Sequence, residues 1–138
     1  MRLLSCILIG ALTFAMSACS MSSDAALAEK EVGRFHQALD AGQFDQLYGG
    51  GSDDLKKAAN QQEFVALLDA VHRKLGNVSS STETTWNVNY HTSGTFVRLV
   101  YDTTFLQGKG TEEFVYRVSG NEAHLAGYHI NSSDLIIR

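Results

Sequence analysis

The chain has 138 residues, with 11 Lys and Arg against 15 Asp and Glu, a formal net charge of −4. That length is one domain's worth, and the mildly acidic balance without a basic stripe argues against a nucleic-acid partner. Composition is that of a globular protein, and with no proline in the chain the turns rely on Gly, Asn, Asp and Ser.

Met1-Arg2 leads an apolar run from Leu3 to Phe14, followed by Met16-Ser17-Ala18-Cys19. The run is too short to span a bilayer, which takes roughly 20 residues, so it reads as an export signal. A cysteine placed directly after small residues resembles the bacterial lipobox, in which that cysteine is lipidated and becomes the mature N-terminus. Ser17 and Ala18 fit the two positions before it, and Met16 stands where Leu is commonest. The resemblance implies a signal peptide over residues 1–18, a lipidated tether over 19–24 and a single domain over 25–138, with Cys19 as the lipidation site. Ser20, rather than Asp, follows Cys19. In Gram-negative lipoproteins that implies the outer membrane, with the domain facing the periplasm. The competing reading is ordinary secretion with cleavage at Ala26-Leu27-Ala28, which would leave the polar stretch from Ser17 to Asp24 inside the signal. Cysteine usage favours lipidation. Cys6 leaves with the signal, Cys19 is then alone, no intrachain disulfide can form, and a lone cysteine in an exported chain needs a role.

The first half of the domain reads helical. Ala28, Val32, Phe35 and Leu39 recur at helical spacing, with Ser23 or Asp24 as the expected cap and Gly42 as the stop. A short turn of helix carries Phe44, Leu47 and Tyr48. Gly49-Gly50-Gly51 reads as a flexible connector, and Ser52 as the cap of a helix with Asp53 and Asp54 in its first turn. The helix expected to be longest runs from about Gln61 to Leu75, with Phe64, Leu67, Leu68, Val71 and Leu75 as its stripe and Gly76 as its end.

The second half changes to a period of two. Trp86, Val88 and Tyr90 alternate, then Val97, Leu99, Tyr101, Thr103 and Phe105, then Phe114, Tyr116 and Val118. A last strand passes through Leu125, Tyr128 and Ile130, and its slip at Gly127 predicts a bulge. Turns are expected at Ser93-Gly94, Gly108-Lys109-Gly110 and Gly120-Asn121. Helices followed by hairpins predict an α+β fold, with N-terminal helices packed on a curved four-stranded antiparallel sheet.

This order of elements resembles small bacterial lipoproteins of the nuclear-transport-factor-like, cystatin-like cone superfamily, closest to a lipoprotein family built on a domain of unknown function. The phrases Gly42-Gln43-Phe44-Asp45, Leu75-Gly76 and Leu125-Ala126-Gly127-Tyr128-His129-Ile130 carry the resemblance. It implies a sheet wrapped around the long helix and a pocket at the open end of the cone. It implies no activity, because one fold hosts many.

Chemistry-bearing residues are dispersed. The five histidines, His36, His72, His91, His124 and His129, lack the local pairing of a zinc site, so no metal or other cofactor is expected. Isomerase relatives use an acidic base and a Tyr-containing oxyanion hole. Tyr90, Tyr101, Tyr116 and Tyr128 are candidates to line such a pocket, but Asp102 alternates outward, Asp40 and Asp69 lie off the apolar stripes, and Glu112 and Glu113 beside a turn are expected to be solvated. The expected function is therefore a membrane-anchored, non-catalytic domain that binds an envelope protein or a small apolar ligand. A small isomerase- or dehydratase-like enzyme is the alternative. Phe96 and Val100, on the sheet's second face, suggest a homodimer through that face.

Overall fold

The structure, a computed structural model, describes residues 22–137. The export signal and Cys19 lie outside the described residues.

Helix α1 (Ser23–Asp40) begins within the segment expected to be tether. Its cap is Ser22, whose hydroxyl accepts from the Ala25 amide at 3.2 Å, rather than Ser23 or Asp24. At the other end Gly42 takes a φ of +70°. The Gln43 amide reaches the Ala38 carbonyl at 2.9 Å and the Gly42 amide the Leu39 carbonyl at 3.1 Å, the paired closure of a Schellman motif. Helices α2 (Phe44–Gly49) and α3 (Asp53–Ala58) are single turns and a half. Helix α4 (Gln61–Leu75) has the bounds its periodicity predicts, with Asn60 capping the Glu63 amide at 2.9 Å and Gly76 at φ +77° ending it.

Strands β1 (Val78–His91), β2 (Gly94–Phe105), β3 (Gly108–Ser119) and β4 (Glu122–Asn131) form one antiparallel meander in the order β1-β2-β3-β4. A short helix α5 (Ser133–Ile137) closes the described chain. The architecture is α+β, as expected. The bulge is present: Val115 pairs Gly127 and Tyr116 pairs Leu125, leaving Ala126 as the extra residue. Gly108 and Gly110 belong to β3 rather than to a turn. Their missing side chains let α5 and β4 approach, since a Cβ on Gly110 would stand 3.0 Å from Ile130. Strand β1 starts eight residues before Trp86, with a Ser- and Thr-rich first half. As a sheet edge it is mostly exposed, so apolar alternation is not required of it.

The expected central helix is corrected. Helix α1, at 18 residues, is longer than α4 at 15, and α1 is the one that lies against all four strands. Its small residues Ala25 and Ala28 admit close approach, and Val32, Phe35 and Leu39 fill the rest of the interface. Helix α4 packs on α1 and α2 and buries Phe64, Leu68, Val71 and Leu75. Fully burying one such side chain stabilises the fold by about 1.5–3 kcal/mol.

The sheet's outer face is tied by charge. Arg98 donates two hydrogen bonds to Glu113, at 2.9 and 2.8 Å. Arg117 donates two to Asp54, at 2.6 and 3.2 Å, and its guanidinium lies 4.8 Å from the centre of the Phe96 ring. Phe96 is therefore partly covered within the chain itself.

Candidate functional site

Two features stand out: a polar cluster centred in the core and a groove open to solvent. The cluster centres on Glu112, which is fully buried. Alternation along β3 puts it on the same face as Phe114, Tyr116 and Val118. The expectation that it would be solvated is overturned. Glu113 does face outward, where Arg98 holds it.

Both oxygens of the Glu112 carboxyl group have partners. Tyr128 donates its hydroxyl to Oε1 at 2.8 Å. Thr103 donates to Oε2 at 2.6 Å, and His36 Nε2 lies 2.7 Å from the same oxygen. Thr103 has spent its proton, so Ser81, 2.8 Å away, donates to it in turn. Each of the four strands and α1 thus contributes one side chain to a single network. Among the described residues no buried side-chain polar atom lacks a partner. Aromatic rings enclose the cluster: Phe35 stands edge-on to Phe114 at 5.0 Å, and Phe114 lies 5.8 Å from the His36 ring.

The groove lies between α1, α2 and the β3–β4 hairpin and has a volume of about 370 Å³. Phe35 and Ala38 of α1, Leu47 of α2, and Ala123 and Leu125 of β4 supply its apolar surface. Its charged side chains are already paired, Arg34 with Glu31 at 2.6 Å and His124 with Glu122 at 3.2 Å. His124 also sits 3.2 Å from the Gly50 carbonyl. None of Glu112, His36, Thr103 and Tyr128 lines the groove.

The four tyrosines expected to share a pocket are dispersed. Tyr116 lines the groove. Tyr128 is bound to Glu112, and Tyr101, buried, donates to Glu83 at 3.2 Å. Tyr90 is 70% exposed near the end of edge strand β1. Burial, first of all, pushes the Tyr116 and Tyr128 hydroxyls well above the ordinary phenol range, with Glu31 and Glu112 respectively the next largest contribution. Both therefore stay protonated, and Tyr128 donates.

The histidines do not converge, and among the described residues no three His, Cys, Asp or Glu side chains form a metal-binding group. The bulge does place His124 and His129 on one face, opposite Arg117 and Glu113. Asp40 accepts from the Val78 amide at 3.0 Å and so fixes the start of β1. Asp69 pairs with Arg73 on the surface.

Parity along each element held the missed signal. Thr103 belongs to the inward set of β2, Glu112 is two residues before Phe114, and His36 lies beside Phe35 on the α1 stripe. A family model described as "Protein of unknown function (DUF4019)" matches residues 32–128, a span that contains the whole Glu112 network. No curated protein matches the chain.

Proposed function

The chain belongs to the DUF4019 family of unknown function, and we propose that this member is a lipid-anchored, periplasm-facing binding domain without catalysis. The observation that carries the non-catalytic part is the closed state of Glu112. A general base must reach a proton on its substrate. Glu112, His36, Thr103 and Tyr128 instead bind one another, outside the groove. A catalytic reading would draw on the same His36–Glu112 pair, and the burial of both residues weighs against that use.

The anchor rests on the phrase Met16-Ser17-Ala18-Cys19 after the apolar run. No helix among the described residues is long and apolar enough to cross a membrane. A lipid at Cys19 supplies an attachment of a different kind, and since α1 starts at Ser23 the domain would be held close to the bilayer. A cone of the nuclear-transport-factor-like kind is the superfamily we assign to this helix and sheet order.

The experiment is intact mass of the membrane-extracted protein, wild type beside Cys19→Ala. The proposal expects a chain that begins at Cys19 with added acyl mass, and loss of that mass in the variant. An unmodified chain cut near Ala28 overturns the anchor.

A further inference from the structure

Among the described residues the Tyr116 hydroxyl is a core polar group without a hydrogen-bond partner. Tyr116 is only 3% exposed, and its hydroxyl makes no hydrogen bond among the described residues. Every sealed side-chain polar atom there has a partner, so this oxygen is not sealed. The residue lines the groove. A buried phenol usually finds a partner.

The surroundings define what that partner is. Along the same groove, Phe35, Leu47 and Ala123 offer apolar contact. The volume, about 370 Å³, falls in the range of small-molecule sites, roughly 300–1,000 Å³. At the rim Arg34 is already paired with Glu31, and His124 is bonded to Glu122. Glu31 acts on Tyr116 as a nearby negative charge. An anion would therefore have to compete with Glu31 for the Arg34 guanidinium. A neutral acceptor such as a carbonyl oxygen takes the phenol proton without that cost.

We infer that the groove is a binding site for a small, uncharged, carbonyl-bearing molecule with an apolar body, held by a hydrogen bond from Tyr116. This site specifies the binding role proposed above and rests on that role. It does not rest on the anchor, which the mass measurement tests separately.

The test is ligand-observed NMR with acetophenone as probe and the protein as purified from cells, lipidated or not, with the protein-free medium as blank. Ethylbenzene, without the carbonyl, and benzoate, an anion, serve as comparison probes. The expected result is saturable contact from acetophenone and weaker binding of both comparison probes. Tyr116→Phe keeps the ring and removes only the donor, and is expected to weaken acetophenone about fivefold, the loss of one neutral hydrogen bond. Ala38→Trp, which fills the groove from a half-buried position of α1, is expected to abolish contact. Tyr90→Phe is expected to change nothing. Absence of saturable contact, equal binding in Tyr116→Phe, survival in Ala38→Trp, or tighter binding of benzoate than of acetophenone overturns the inference.

Discussion

His36 and Glu112, 76 positions apart in the chain, meet at 2.7 Å in the middle of the core. Their contact joins α1 to the centre of the sheet, beside Thr103 and Tyr128, which donate to the same carboxyl group, and beside the Phe35 and Phe114 rings. A polar pair of this kind has no better partner in any shifted docking of α1, so we regard it as a device that selects one arrangement of helix on sheet. The ring of strands contributing to it extends that selection to register. A slip of one residue in β3 would carry Glu112 to the outer face and leave His36, Thr103 and Tyr128 without their acceptor.

The triple glycine is expected to behave as two different things. A Cβ on Gly49 meets nothing, whereas one on Gly51 would collide with Leu55 and stand 3.1 Å from the Leu125 carbonyl. The Ser52 amide bonds that same carbonyl at 2.9 Å, so the backbone there cannot withdraw freely. Gly51→Ala should lower stability by about 1–3 kcal/mol, the usual cost of overpacking. Gly49→Ala, in the last turn of α2, should be neutral or stabilise by about 0.4–1 kcal/mol. Urea denaturation of the two variants checks both. Equal effects would restore the reading of this segment as a plain flexible connector.

Acid should loosen the tie between α3 and the sheet. The hydrogen bond from Arg117, the largest contribution, holds the Asp54 carboxyl below the ordinary value of 3.8. A depressed folded value means that the stabilisation is fully present above the unfolded pKa and is lost as pH falls through the folded one. The pair is about one-third exposed, 31% and 33%, so its worth is held under about 1 kcal/mol. Asp54→Asn should thus be less stable than wild type near neutral pH, with the gap closing below about pH 4. A gap that stays constant across the pH series of denaturation curves would rule out this pair as its source.

Alkaline titration should divide the tyrosines. Burial raises the folded-state pKa of Tyr101, Tyr116 and Tyr128 above the phenol value of 10.0. A raised value contributes stability that is present below the unfolded pKa and is lost as pH rises toward the folded one. Absorbance at the phenolate band should therefore show these three ionising only with alkaline unfolding, followed in parallel by circular dichroism. Reversible ionisation of all tyrosines near pH 10 in the folded protein would contradict the burial described here.

Much of this arrangement is legible in the residues. The bounds of α4 follow from a five-residue stripe and Gly76, and the β4 bulge follows from the broken alternation at Gly127. Helix and strand type are local properties with strong periodic signals. The site was harder for a specific reason. Glu112 is charged and near the start of its strand, and local chemistry makes such a residue look solvated. Its burial depends on donors from β2, β4 and α1, which only the assembled fold brings within reach. The prominence of α1 was hidden similarly: its stripe contains two alanines, which look weak as apolar anchors and are strong as close-packing positions. The Tyr116 groove depends on side-chain volumes across three elements, which no single stretch of sequence displays.

The most direct test of the claim that this domain keeps its buried polar cluster for architecture is the urea stability of Glu112→Gln. The amide is nearly isosteric, but its nitrogen cannot accept, so either Tyr128 or the His36–Thr103 pair loses its acceptor in a buried site. The architectural role predicts a loss of about 1–3 kcal/mol, the cost of stranding buried donors. A residue held for chemistry commonly sits at the expense of stability. Unchanged or increased stability in Glu112→Gln would contradict the account and return His36 and Glu112 to the position of catalytic candidates.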